Sequence, residues 1–359
     1  MKINTKFLLC FFLFFVLRVY SFDCSVFYKI MSEPTPLWMK EQIDKDLSFV
    51  EKELSPDFLE KIYREMGKSC ALVRIRSLNG VLSIDRSYFH EVSELIYQGI
   101  QKLHFFAPLP DFDLLLSGAD TLVGDSNFPL PIFIEAKDKT CNSFILIPDR
   151  FALHGYEPQK KQVLEGSLIF PWEVKQKILF FRGSDTGANL ENWKECARPK
   201  LVALSLKNPK LLDARFVDSL HFKQMLDFAI KQGYISGYVS MREHLFYRYL
   251  VDIDGNCASC PRTATLFHSN SVVFKQITNS MQWFYSLLQP YKHFIPFKED
   301  LSDLLDQIEW AKDHDEECKQ ISLNARFLAR DVLSEERIYQ YLYRLLEEYS
   351  IRQKKMTKE

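Results

Sequence analysis

Leu179-Phe180-Phe181-Arg182-Gly183-Ser184-Asp185-Thr186-Gly187 runs from an apolar stretch into a turn of small and charged residues. Residues 178–181 are apolar in succession, the pattern of a short strand buried on both faces of a parallel sheet. One cation, two hydroxyls and two glycines follow directly. Backbone N–H groups and a guanidinium converging at a strand end make an anion site. An ordinary strand-to-helix turn is the alternative reading of the same residues.

Outward from this stretch, the second half of the chain alternates. Strands are expected at 178–181, 211–213, 249–253, 271–275 and 293–297, with helical stretches between them. Pro199 suits the first position of a helix over 200–206, and Ser240 with Glu243 has the spacing of a capping box. Such alternation predicts an α/β fold with a parallel sheet, helices on both faces, and a ligand at the carboxyl ends of the strands. Residues 182–186 and 254–262 both fall at such ends. The first half reads as mixed α/β: helices at 38–50, 58–66 and 90–103, a hairpin of 71–76 with 81–85 around Asn79-Gly80, and strands at 113–116, 132–135 and 144–147. In the tail, Asp300 is expected to cap a helix over 301–312 whose Leu301, Leu304, Leu305 and Ile308 share one face. Ser334 opens a last helix with Ile338, Leu342, Leu345 and Tyr349 on one side.

A chain of 359 residues is long enough for two domains, with a boundary expected within 165–177. Composition is that of a globular protein, 47% apolar and 26% charged with a formal net charge of -1, which argues against a nucleic-acid partner held by bulk charge. At the N-terminus, Lys2 and Lys6 precede an apolar run over 7–17, and Val19 and Ser21 are small enough for cleavage after Ser21. This pattern reads as a signal peptide over 1–21, with an uncleaved anchor as the alternative. It points to the secretory route, and to membrane contact only through this segment. The seven cysteines beyond it are odd in number, so at least one thiol stays unpaired and the chain is no disulfide-dense scaffold, with a few bridges as the alternative.

Most familiar motifs are absent: there is no phosphate loop of the Gly-x-x-x-x-Gly-Lys type, no Gly-x-Ser-x-Gly elbow and no His-Glu-x-x-His. Cys257-Ala-Ser-Cys260 lacks the second pair that a zinc site needs, leaving a local bridge or two loop thiols. Asp252-Ile253-Asp254 matches the Asp-x-Asp pattern of metal-dependent sugar-nucleotide sites, or is a strand end entering an Asp-Gly turn.

The ordered set is more specific than its parts. Leu250-Val-Asp-Ile-Asp-Gly-Asn-Cys-Ala-Ser-Cys-Pro-Arg262, with Leu266-Phe-His-Ser-Asn-Ser-Val-Val-Phe-Lys-Gln276, resembles the donor-site region of glycosyltransferase family 90. The resemblance extends through Phe180-Phe-Arg-Gly-Ser184, Arg198-Pro-Lys-Leu-Val-Ala-Leu-Ser205, Lys207-Asn-Pro-Lys-Leu211 and Tyr291-Lys-His-Phe-Ile-Pro-Phe-Lys298. Pro36-Leu-Trp-Met-Lys-Glu-Gln-Ile43 resembles the opening helix of bacterial members.

The resemblance implies a GT-B-type fold, two Rossmann-like domains facing a cleft, with C-terminal helices. The expected division is an acceptor-side domain over 22–174, a UDP-sugar-binding domain over 175–333, and a C-terminal helix over 334–359 packing back on the first domain. It implies inverting, metal-independent transfer of glucose or xylose from UDP-glucose or UDP-xylose, with no cofactor. Carried over by motif, Ser184 and Arg198 contact the diphosphate, and Gly255, Asn256, Ser259 and Arg262 line the UDP site; Arg182 joins them by proximity. Asp252 and Asp254 become structural residues. Cys260-Pro261 makes the donor loop one residue longer than in the eukaryotic O-glucosyltransferases, and Pro261 suits the first turn of the following helix. The base that deprotonates the acceptor corresponds to Asp120, in Leu109-Pro-Asp-Phe-Asp-Leu-Leu-Leu-Ser-Gly-Ala-Asp120, although Ala119 replaces the arginine that the family has there. Capping of the 121–125 turn is the alternative role for Asp120. The expected acceptor is a cell-envelope, capsule or lipopolysaccharide glycan in the periplasm or cell envelope. The alternatives are Ser of a folded protein domain in the endoplasmic reticulum lumen, and an inactive carbohydrate-binding relative.

Overall fold

The computed structural model describes residues 23–48, 54–120, 130–141, 143–217 and 220–356. The expected signal segment over 1–21 and the 121–125 turn lie outside the described residues.

Local chemistry starts the first half. Ser55 accepts a hydrogen bond from the Phe58 N–H at 3.2 Å and caps the helix Pro56–Met66, whose first residue is proline. Asn79 and Gly80 both take positive φ, 51° and 76°, so the turn carries the twist that a tight hairpin needs. It joins β1 (Leu72–Leu78) to β2 (Val81–Asp85), paired antiparallel as expected. β3 (Phe112–Ser117) runs antiparallel to β1, then parallel to β4 (Ile132–Ile134), which is parallel to β6 (Phe144–Leu146). The resulting sheet has the order β2-β1-β3-β4-β6.

The second sheet is parallel throughout: β7 (Gln176–Gly183), β8 (Leu212–Phe216), β9 (Tyr247–Asp252), β10 (Val272–Ile277) and β12 (Ile295–Lys298), in the order β12-β10-β9-β7-β8. Its first strand therefore has its second on one side and its third on the other. That reversal opens a crevice between the carboxyl ends of β7 and β9, where ligands of doubly wound sheets sit. Successive side chains leave opposite faces: Leu179 and Phe181 join a core with Val251 and Phe274, whereas Phe180, Leu250 and Val273 belong to the core that holds Val73, Leu114 and Phe133 of the first sheet. One hydrophobic core thus runs from one sheet to the other. A short pair, β5 (Lys137–Asp138) with β11 (Ser280–Met281), adds a hydrogen-bonded crossing between the halves. The last helix, Glu335–Met356, lies along the first sheet: Tyr349 donates to the Asp113 carbonyl at 3.0 Å and Gln353 to the same oxygen at 2.9 Å.

Three helix starts differ from expectation by two residues or more, the first being the helix expected over 58–66, which begins at Pro56. The helix Ala197–Lys207 begins earlier, after Cys196, so Pro199 is its third residue; proline fits there because the N–H groups of a first turn have no helical partner. The helix Leu304–Asp313 starts later, behind Asp303. Leu301 takes φ 65°, outside helical space, and Asp300 accepts from the Ser302 N–H at 3.0 Å, closing a turn rather than a helix.

Candidate active site

The two sheets present the carboxyl ends of their parallel strands to one cleft of about 460 Å³, within the size range of small-molecule sites. From the second sheet come the loops after β7 and β9. From the first come Asp120 after β3, Glu135 after β4 and Arg150 after β6.

Arg198 organises the second sheet's side. Its Nε donates to the Asp254 carbonyl at 2.9 Å, Nη1 to the Ser184 carbonyl at 3.0 Å and to Thr186 Oγ1 at 2.5 Å, and Nη2 to the Ile253 carbonyl at 3.1 Å. One guanidinium therefore ties both loops together. Every one of these acceptors is neutral, so the positive charge has no carboxylate bound to it directly. Burial, and then the neighbouring Arg262, lower its pKa to about 10. A buried cation held in place by neutral groups is prepared for an anion. Arg262 stands 4.9 Å over the Phe181 ring and donates to the Arg182 carbonyl at 2.8 Å. Burial also lowers its pKa.

Arg182 lines the cleft, but its charge is met. Nη1 and Nη2 grip Asp213 at 3.0 and 2.9 Å, and the guanidinium lies 4.4 Å over Phe180. Ser184 is not among the lining residues; its hydroxyl donates to Asp185 at 3.2 Å, and Thr186 is the hydroxyl of this turn that reaches the cleft. Ser259 lines it with its hydroxyl donated to Asp252. Asp252 is fully buried and also takes Thr263 at 2.7 Å and Lys275 at 3.0 Å, while Asp254 accepts from Thr278 at 2.6 Å. Both aspartates brace the loop after β9. Pro261 precedes the helix Arg262–Phe267 rather than sitting inside its first turn.

Two loop contacts require particular residues. Gly187 has φ +81°, and a Cβ there would lie 2.3 Å from the Gly255 carbonyl oxygen, so only glycine lets the loops touch. Asn256 accepts from the Gly187 N–H at 2.9 Å and donates to Asp120 Oδ2 at 3.1 Å. That second bond crosses from one sheet's loops to the other's. Asp120 is 45% exposed at its side chain, with Arg150 Nη2 3.9 Å from its other oxygen. Arg150 is in turn fixed by the buried Glu135, which accepts from its guanidinium and, at 2.6 Å, from its N–H.

Glu135, Arg150, Thr186 and His244 were not anticipated from the sequence, though each had a signal. Glu135 is the last residue of the expected strand 132–135, which ends one residue earlier at Ile134, and Arg150 lies shortly after the strand at 144–146, so the carboxyl-end rule applied to the first half reaches both. His244 ends the helix Met241–His244, whose capping box between Ser240 and Glu243 is present as expected. Its Nδ1 lies 2.8 Å from the Ser240 carbonyl, which can only accept, so Nδ1 holds the proton. Nε2 is left without a partner on a residue that lines the cleft. Burial, and then Arg262, lower this imidazole's pKa to about 4, so it is a neutral acceptor near pH 7. Cys257 and Cys260 are free thiols, and burial pushes Cys257 up to about 12.

Protein O-glucosyltransferase 3 from Homo sapiens is 35% identical over 190 residues, covering 53% of this chain and 35% of that protein. Protein O-glucosyltransferase 2 from Danio rerio is 30% identical over 348 residues, covering 91% and 67%. The chain spans less than half the length of the first curated relatives it matches, 35% of the human protein and 48% of its rat and mouse counterparts. Among solved structures, Anabaena HepE in complex with UDP-glucose is similar at a TM-score of 0.42 and 12% identity, over 62% of this chain and 65% of that one. The model of glycosyl transferase family 90 matches residues 38–359, which takes in both sheets, both cleft walls and the last helix, and the chain belongs to that family.

Proposed function

We propose that the chain is an inverting, UDP-sugar-dependent glycosyltransferase, with glucose or xylose as the transferred sugar. The observation that carries this reading is Arg198: a buried guanidinium, bound only by neutral oxygens, in the wall facing Asp120. In the proposed reaction the diphosphate lies along the loops at 182–187 and 254–262. Arg198 and Arg262 meet the charge that grows on the departing UDP, as positioned cations do where a leaving group becomes anionic. Thr186 takes the hydroxyl role first expected of Ser184, and His244 Nε2 accepts a hydrogen bond from the donor. Asp120 receives the acceptor's hydroxyl proton as the acceptor oxygen bonds to the sugar's anomeric carbon and the bond from that carbon to the phosphate oxygen breaks. No metal takes part in this reading, and Asp252 and Asp254 stay with the loop.

Relatives named as protein O-glucosyltransferases favour a protein hydroxyl as acceptor over the envelope glycan first expected. Among the described residues no helix is long and apolar enough to cross a membrane. Incubating the purified protein with a panel of UDP-sugars tests the proposal through UDP release. Release from UDP-glucose or UDP-xylose, together with a higher melting temperature in UDP, is the expected result. Absence of both refutes the transferase reading.

A further inference from the structure

The helix Arg262–Phe267 meets the cleft at its first residue. At its other end His268 forms the floor of a separate cavity of about 390 Å³. One wall is the helix Asp315–Val332. It buries Cys318, Ile321, Ala325 and Ala329 as one stripe, and turns Leu323, Arg326, Phe327 and Arg330, at helical spacings of three and four, toward the cavity. The opposite wall is the helix Gln159–Ile169, which supplies Lys160 and, one turn on, Leu164. Its Leu168, a further turn along the same face, is 85% exposed.

This cavity is polarised. No carboxylate lines it, and Lys160 and Arg326 have no ion-pair partner among the described residues. Arg330 is engaged, with Nε 3.1 Å from Asp331. His268 is 8% exposed and its Nε2 has no hydrogen-bond partner. Burial, then Lys160 and Arg326, lower its pKa to about 3, so a neutral imidazole lies beneath two unpaired cations. A buried polar nitrogen left unsatisfied is unfavourable, and an occupant that bonds to it removes that cost. Around these groups, Leu164, Leu323 and Phe327 remain 42%, 39% and 44% exposed.

We propose that this groove docks an acidic peptide segment carrying apolar side chains. Carboxylates of the segment pair with Lys160 and Arg326, a leucine- or phenylalanine-sized side chain covers Leu164, Leu323 and Phe327, and a backbone or side-chain polar group bonds to His268 Nε2. Charge complementarity selects an acid, and the apolar walls select a peptide over a small oxyanion, which would leave them in water. The recessed His268 selects it over a flat membrane surface. None of these residues belongs to the proposed transferase machinery, so the two readings stand or fall separately.

Fluorescence anisotropy of the full chain with a labelled peptide rich in Glu, Leu and Phe tests the proposal, against the same peptide with Gln for Glu. The expected result is saturable binding of the acidic peptide, about tenfold weaker binding of the Gln peptide, and a loss of about tenfold or more in the Lys160→Glu/Arg326→Glu protein. Phe327→Ser weakens binding as well. The altered side chains are not core residues, and a cooperative circular-dichroism melt verifies that each variant is folded. Failure of the acidic peptide to bind, equal binding by the charge-reversed protein, or stronger capture of inorganic phosphate or phosphatidylserine vesicles than of the peptide would overturn it.

Discussion

Arg198 and His244 show how far single side chains define this cleft. Arg198→Ala removes a buried cation bonded solely to neutral groups, and it unties two loops at once. A charge-assisted contact is worth about 1.5–3 kcal/mol, so UDP affinity should fall by about 10- to 100-fold, measured by titration calorimetry. Arg182→Ala should cost less, because Asp213 already holds that charge. His244 makes a pH prediction. Its folded pKa of about 4 lies below the ordinary 6.5, so between those values the unfolded chain holds a proton that the folded one has shed. Stability therefore rises with pH through that window and is lost as the pH falls from about 6.5 toward about 4, by up to roughly 3 kcal/mol. His244→Gln should flatten that part of a melting-temperature profile; an unchanged slope would assign the acid loss to other groups. At this scale the sequence was legible where a residue belongs to a motif, as with Arg198, Asn256 and Arg262. It was silent where function needs a partner distant in the chain: nothing in the neighbourhood of Arg150 reveals Glu135 beneath it or Asp120 beside it.

Elements were legible in their centres and not in their ends. The apolar run at 178–181 marks β7, but pairing with β8 carries the strand on to Gly183, opposite Phe216. Arg215 interrupts the apolar pattern of β8, so the sequence ended that strand early; the backbone ladder is indifferent to the charge. The helix Ala197–Lys207 was misplaced at its start because Cys196 makes no side-chain cap, leaving no chemical signal to read. The capping box expected at Ser240 and Glu243 is present and opens its helix, whereas the Ser55 cap went unread and the helix Pro56–Met66 begins two residues before the expected 58. The turn between β7 and the helix depends on Gly187. Gly187→Ala forces a side chain into positive φ and against the Gly255 carbonyl. A loss of about 1–3 kcal/mol in urea unfolding and weaker UDP binding are expected, since the two loops can no longer meet. A variant as stable as the parent would mean that the loops part without consequence.

At the scale of the whole molecule, one core joins two sheets and the last helix closes the first of them. Tyr349 is fully buried there, 5.1 Å from Phe133 in an edge contact, with its hydroxyl on Asp113. Tyr349→Ala should cost about 3–5 kcal/mol in urea unfolding and Tyr349→Phe only about 1 kcal/mol, separating the ring's packing from its hydrogen bond. This architecture was foreseeable from alternation and family resemblance, whereas the continuity of the core through Phe180, Leu250 and Val273 was not, because sequence patterns tell that a strand face is buried without telling against what. The arrangement divides the proposed labour: the second sheet holds UDP, and the first supplies Asp120 across the Asn256 bond. Asp120→Asn tests that division most directly, with UDP affinity and transfer rate measured on the same protein. Unchanged UDP affinity with transfer slowed by about 10²- to 10⁴-fold is the predicted result. Transfer at the parent rate, or loss of UDP binding in step with activity, would contradict it.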